Sequence, residues 1–330
     1  MKIIITGADG FVGSNLIREL LTRNHEIVAF VKDGQDARNI KDLNIDIKYG
    51  DLLDPSTLTK AIKGCEALIH TAALTSMWPY RSEIQKKVNI EGTRNVMEAV
   101  LSSGLKRVIH IGTASSFGFG SKNNPGDETK NYLSGKYKMD YMDTKFTAQE
   151  LVLKMVREDN LPAIIVNPTF MFGPYASIMG SAKMIELVYN GKIPGFTNGG
   201  RNYIAVKDVC VAISNALEMG KIGESYILGN ENLNYKEIFT TIAKVTNAKA
   251  PKLFIPNLGV KLYGKILTIL GKTFRFEPSV SYPMAVISCE EQYYQSNKAI
   301  KELGLPQTPI KTALTEAFNW LQENNRCIKQ

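Results

Sequence analysis

Tyr141 and Lys145 lie four residues apart in a stretch, Tyr141 to Val156, with helical apolar spacing and no Gly or Pro. They therefore share one helix face, one turn apart. A phenol titrates near about 10 and releases its proton reluctantly at neutral pH. An ammonium group one turn away favours the phenolate and brings the proton toward working range. Such a pair can give a proton to a carbonyl oxygen or take one from an alcohol. Tyr137 stands one turn earlier, but four residues on it meets Tyr141 rather than a lysine.

A reacting partner for that pair is implied at the start of the chain. Thr6-Gly7-Ala8-Asp9-Gly10-Phe11-Val12-Gly13 follows the apolar run Ile3-Ile4-Ile5, which predicts a short buried strand. It precedes Ser14 to Leu21, whose spacing predicts a helix. Gly7 can take a backbone conformation forbidden to other residues. Gly10 allows close approach of a pyrophosphate, and Gly13 allows the helix to pack tightly on the strand. Free N–H groups of the turn, those of Phe11 and Val12 among them, then face the phosphates along with the positive end of the helix dipole. A glycine triplet alone is a weak signal, whereas the strand–turn–helix context makes it specific.

Composition bounds the rest. The 330 residues are 44% hydrophobic and 22% charged, which suits a folded chain of more than one layer. Net charge is +8, but Lys and Arg are scattered rather than gathered in a tract, so no nucleic-acid partner is expected. Cys65, Cys210, Cys289 and Cys327 form no Cys-x-x-Cys pair, and His25, His70 and His110 are too far apart for a local metal motif. No metal is expected, and His70 and His110, in apolar runs, are predicted core residues. The amino-terminal apolar run is too short for a signal peptide and no run reaches membrane-spanning length, so the expected location is cytoplasmic.

Gly7, Gly10 and Gly13 leave two residues in each gap, where the widespread dinucleotide pattern has one in its first. Together with Tyr141-x-x-x-Lys145, this version resembles the extended short-chain dehydrogenase/reductase family, the NAD-dependent epimerase/dehydratase superfamily. VNIEGTRNV at 88–96 is very similar to that family's fourth helix. Asn167-Pro168, Ser134-Gly135-Lys136 and Tyr226 to Leu233 resemble its dihydroflavonol reductase-like branch. The resemblance spans nearly the whole chain, with only about residues 255–292 unmatched. It implies an α/β fold: a doubly wound parallel sheet over residues 1–170, joined again by a segment near 203–219, and a smaller mixed substrate domain over 171–330. Thr113, at the end of the strand Arg107–Thr113, falls at the catalytic Ser/Thr position, with Ser115 and Ser116 as the fallback. Asp51, after the strand 45–49, falls where an Asp contacts the adenine, next to Leu52. Asn89 falls at a residue that organises the active site. Asn167, Pro168 and Thr169 match the segment that passes the nicotinamide amide.

The residues themselves add two readings of the cofactor. Thr71, Ala72 and Ala73 end the strand 67–73 with small side chains, leaving room for a cofactor across the strand edge. The second strand, 25–31, ends Val31-Lys32, where enzymes preferring NAD usually place an acid. A cation suits the 2′-phosphate of NADP, with Arg38 and Lys41 as further cations nearby. Asp33 argues the other way, so NAD is the alternative.

The predicted reaction is NADPH-dependent reduction of a small ketone or aldehyde, with Tyr141 as acid, Thr113 orienting the carbonyl, and Lys145 holding the nicotinamide ribose. Nucleotide-sugar dehydratases of the family carry Asp-Glu after the catalytic Thr, whereas this chain has Ala114-Ser115. An NAD-dependent nucleotide-sugar epimerase uses the same three residues and is the first rival. A non-catalytic dinucleotide-binding sensor is the second. The loop 75–80 is read as either a substrate wall or a cover for the sheet edge. The basic, amphipathic stretch around 260–267 is read as a lid over the cleft, with a membrane-surface helix as the alternative. A homodimer through the helices around 88–103 and 141–157 is expected from the resemblance.

Overall fold

In this computed structural model, residues 1–176 and 180–325 are described; Cys327 lies outside them. The first half alternates strand and helix: β1 (Lys2–Thr6), α1 (Phe11–Thr22), β2 (Glu26–Lys32), β3 (Asp46–Gly50), α2 (Pro55–Ile62) and β4 (Ala67–His70). It continues through α3 (Glu83–Lys86), α4 (Gly92–Ser103), β5 (Arg107–Ile111), α5 (Asp140–Asp159) and β6 (Ala163–Pro168). The second half contains β7 (Phe170–Phe172), α6 (Ser181–Tyr189), β8 (Gly195–Phe196), β9 (Gly200–Ala205), α7 (Val206–Met219), β10 (Ser225–Leu228), β11 (Glu231–Asn234) and α8 (Tyr235–Val245). It closes with β12 (Leu253–Phe254), α9 (Asn257–Phe274), α10 (Tyr282–Ile287), β13 (Glu291–Gln292), α11 (Asn297–Leu303) and α12 (Ile310–Glu323).

Seven parallel strands form the main sheet in the order β10-β6-β5-β4-β1-β2-β3. Helices cover both faces, so its inner strands are apolar without alternation. Ile3 and Ile5 face the core under α1, α7 and α11. Ile4 faces the opposite core, under α2, α4 and α5. Chain order reverses between β1 and β4. The carboxyl ends of those two strands therefore open a crevice at a topological switch point. This is the doubly wound fold anticipated from the sequence.

A smaller sheet joins β7, β9, β11 and β13, and its core lies between that sheet and α6, α8 and α12. Residues 200–205 belong to this sheet, while residues 206–219 form α7, packed beside α1. The strand from the second half that joins the main sheet is β10. Three other strands end earlier than their apolar runs suggest. β4 stops at His70 and β5 at Ile111, so Thr71 to Ala73 and Thr113 stand just beyond strand ends; β6 stops at Pro168.

Candidate active site

Gly7 has φ +67°, and a Cβ there would stand 2.6 Å from the Ala72 Cα. A Cβ on Gly13 would stand 2.4 Å from the Gly7 carbonyl oxygen. Both glycines are thus required by backbone packing at the mouth of β1 and β4. At Gly10 the only near neighbour of a Cβ would be the Gly7 oxygen, at 3.1 Å, so this position faces open space. Gly10 caps α1 in extended conformation without a side-chain hydrogen bond. The first-turn N–H groups of Phe11 and Val12 consequently have no side-chain acceptor. Donors without a cap and room in front of Gly10 fit the pyrophosphate of a dinucleotide.

Beside this turn, the Thr71 N–H and hydroxyl both donate to the Thr6 carbonyl, at 3.1 and 2.7 Å. Thr71 therefore ties β4 to β1, and Ala72 and Ala73 follow it as a small-residue floor. On the other side, Lys32 and Gly50 are in register, and Asp51 follows. Lys32 Nζ lies 3.9 Å from Asp51 Oδ2, with both side chains substantially exposed. Asp51 Oδ1 also accepts from the Leu53 N–H at 2.9 Å. Leu52 is buried, and its carbonyl accepts from Asn95 at 2.8 Å. Arg38 is committed to Asp36 at 2.5 Å, and Asp33 is exposed.

Asn89 sits in a single π-helical turn, Lys87–Glu91, between α3 and α4. Its amide accepts from the Leu74 N–H at 2.8 Å and donates to the Leu74 carbonyl and the Thr144 hydroxyl, both at 3.0 Å. All three bonds are internal, so Asn89 fastens the loop after β4 to α5. Met77 and Tyr80 pack with Tyr141, Met142 and Ile287 in an apolar wall beside the candidate acid.

Tyr141 and Lys145 project from the first two turns of α5. The Thr113 hydroxyl hydrogen-bonds the Tyr141 phenol. Of the three hydroxyls the sequence offered, Thr113 alone meets Tyr141 among the described contacts: Ser115 bonds Tyr294, and the buried Ser116 hydroxyl has no partner. Thr113 is set by Asn167, whose Oδ1 accepts from the Thr113 N–H at 3.0 Å. Asn167 and Pro168 lie at the end of β6, and the next residue, Thr169, donates its hydroxyl to Asn202 at 2.8 Å.

The electrostatics differ from the simple phenol–ammonium pair. Burial raises the Tyr141 pKa, while the Thr113 hydrogen bond and the Arg201 charge pull it down. Lys145 is buried with Nζ donating to the Ile111 carbonyl at 2.6 Å, and burial lowers its pKa to about 8. Behind it, His70 and His110 are buried and held uncharged, His70 at about 3, by burial and by Lys145. The cation that acts on Tyr141 in the free chain is thus Arg201, on β9. Its Nε donates to the Tyr235 hydroxyl at 3.0 Å, and its guanidinium lies 5.3 Å over Phe170. Sequence reasoning did not select Arg201. Its only signal was rarity, since it and Arg275 are the sole arginines between residues 160 and 320.

A crevice at the β1–β4 switch point, an uncapped glycine turn and a Thr–Tyr–Lys cluster define a dinucleotide-dependent enzyme of the short-chain dehydrogenase/reductase type. The sequence model of the NAD dependent epimerase/dehydratase family matches residues 3–229, and the chain belongs to that family. It is 32% identical to a Synechocystis sp. protein provisionally named dihydroflavonol 4-reductase, covering 97% of this chain and 94% of that one. The crystal structure of gox2253 superposes with a TM-score of 0.86 at 35% identity, over 99% of both chains. The UDP-glucose 4-epimerase of Thermus thermophilus, solved in complex with NAD, has the same fold. Its TM-score is 0.78 at 17% identity, covering 98% of this chain and 99% of that one. Among the described residues no acidic, His or Cys cluster could hold a metal, and no helix is long and apolar enough to cross a membrane.

Proposed function

We propose that the chain reduces the ketone or aldehyde of a small organic substrate, with NADPH as the preferred cofactor and NADH as the alternative. The observation that carries this reading is the Thr113–Tyr141 hydroxyl pair at the end of β5. The bound nicotinamide supplies the hydride. Thr113 donates a hydrogen bond that fixes the carbonyl oxygen, and positioning of this kind accounts for much of the rate. Tyr141 gives that oxygen its proton. Its burial keeps the phenol protonated in the free enzyme, which a proton donor requires. Lys145 holds the ribose hydroxyls, and Asn167 acts through Thr113 as a positioning residue. Gly7, Gly10 and Gly13, with the N–H groups of Phe11 and Val12, hold the pyrophosphate. Lys32, Asp51 and Leu52 bound the adenosine side, and Thr71, Ala72, Ala73, Pro168 and Thr169 line the rest. Residues 1–170 with α7 and β10 carry the cofactor, and the remainder of 171–330 carries the substrate.

Ala114-Ser115 offers no acid–base pair for eliminating water. The relative provisionally named a dihydroflavonol 4-reductase supports carbonyl reduction. One observation favours the epimerase reading instead: Arg201 places a half-buried cation beside Tyr141, where an anionic sugar nucleotide could bind. Denaturing the purified protein and assaying the supernatant separates the two. Tightly held NAD supports an epimerase. Its absence, with loss of NADPH absorbance on a panel of carbonyl compounds, supports the reductase.

A further inference from the structure

The helix α9 is amphipathic the wrong way round for a helix packed on a soluble core. Its buried stripe is Gly264, Thr268 and Gly271. Leu262, Ile266 and Ile269 each precede one of these by two residues, about 200° round the helix, and so point away from the protein. Leu262 is 57% exposed, Ile266 49% and Ile269 56%, and Leu258, on the same stripe, is 81% exposed. Leu253 and Phe254 of β12 and Phe274 at the end of α9 are further exposed apolar residues. A contiguous patch of this kind marks an interaction site.

The orientation is fixed by packing. A Cβ on Gly264 would stand 2.6 Å from the Ala285 Cβ, and one on Gly271 would stand 2.9 Å from the Phe276 carbonyl oxygen. The Thr268 hydroxyl accepts from the Tyr282 N–H at 2.7 Å. Only small residues fit on this side of α9, against α10 and the segment before it, so the large side chains cannot rotate inward.

Charge selects the occupant. No Asp or Glu occurs between Glu237 and Glu277, while that interval holds seven Lys and Arg residues. Lys265 and Lys261 flank the apolar stripe on one side, and neither has an acidic partner among the described residues. Two copies joined by this face about a two-fold axis would bring like charges together. An apolar stripe edged by free lysines suits the headgroup layer of an anionic bilayer.

We propose that α9 docks the enzyme on anionic membrane surfaces, with Leu258, Leu262, Ile266 and Ile269 inserted among the headgroups and Lys261 and Lys265 against lipid phosphates. The carboxyl end of α9 also meets the loop beside the candidate cleft. Gly271 packs beside Trp78, and Lys272 lies 4.6 Å over the Tyr80 ring, which belongs to the apolar wall at Tyr141.

The test is cosedimentation of the full chain with vesicles of phosphatidylcholine alone, or of phosphatidylcholine and phosphatidylglycerol in equal parts. The wild type should sediment with the anionic vesicles, and less so as salt rises. The double variant Leu262→Ser, Ile266→Ser should partition at least about a hundredfold more weakly. Lys261→Gln with Lys265→Gln should lose the preference for anionic vesicles. Thermal midpoints matching the wild type would show that both variants fold. Three results would overturn the proposal: no anionic binding by the wild type, variants that bind like the wild type, or a dimer that the Leu262→Ser, Ile266→Ser variant dissociates.

Discussion

Lys32 provides the sharpest prediction about the cofactor. A lysine beside a 2′-phosphate gains a charge-assisted hydrogen bond of about 1.5–3 kcal/mol. To make it, Lys32 must leave Asp51, whose Oδ2 lies 3.9 Å away with the two side chains 59% and 39% exposed. An exposed pair of that kind is worth at most about 1 kcal/mol. The difference of about 0.5–2 kcal/mol corresponds to a preference for NADPH over NADH of between about twofold and about thirtyfold. A plain ribose offers Lys32 much less, and Val31 gives its hydroxyls no acceptor. Lys32→Ala should bring the two affinities together by weakening NADPH while leaving NADH within about twofold. Raising the salt should shrink the wild-type preference as the variant does. Calorimetric titration of both nucleotides into both proteins checks this. Equal affinities in the wild type, or a preference for NADH, would mean that Asp33 reads the ribose and that the argument from Lys32 is wrong.

Replacing Lys145 with Met should abolish turnover and weaken cofactor binding, yet raise the thermal midpoint at neutral pH. The ammonium's folded pKa of about 8 lies below its ordinary 10.5, so burying the charge costs stability fully below pH 8. That cost fades as pH rises from 8 to 10.5, and the advantage of Lys145→Met should fade with it in melting curves across that window. A variant less stable than wild type at pH 7 would contradict this. Gly7→Ala should cost about 2 kcal/mol in urea denaturation, since φ is +67° and the new Cβ meets the Ala72 backbone. A loss below about 0.5 kcal/mol would show that the turn can relax. Arg201→Met removes a charge that lowers the Tyr141 pKa, so the alkaline limb of the pH–rate profile should move to higher pH. An unmoved limb would separate Arg201 from the acid.

The main sheet was legible because both of its faces are buried, and runs such as Ile3-Ile4-Ile5 and Ala67-Leu68-Ile69 have no other explanation. The glycine turn was legible because its constraint is local: Gly7 and Gly13 meet backbone contributed mostly by their own turn and by the residues just after β4. Asn89 could be flagged but not explained, since its partners Leu74 and Thr144 are 15 and 55 residues away. Arg201 was missed for the same reason. Only the small sheet brings β9 to the end of α5, and no local pattern records that meeting. The stretch around 260–267 shows a different limit. Its amphipathicity was visible, but an apolar helix face is ordinarily assigned to the interior, which led to the reading as a lid. The structure divides that reading: α10 supplies Met284, Val286 and Ile287 to the wall beside Tyr141, while α9 buries its small residues and leaves the large ones outside. Gly264, Thr268 and Gly271, spaced four and three apart, were the signal available in the sequence.

The central claim is that Tyr141 donates the proton to a carbonyl held by Thr113. It is tested most directly by Tyr141→Phe, measured twice on the same preparation: single-turnover reduction of a substrate found by the carbonyl panel, and the Kd for NADPH by titration. Losing a positioned acid should slow turnover by at least about a hundredfold. The NADPH Kd should stay near the wild-type value, because the phenol's hydrogen bond in the free chain goes to Thr113 and not to the glycine turn. A variant that reduces the substrate at close to the wild-type rate, with NADPH bound normally, would contradict the account.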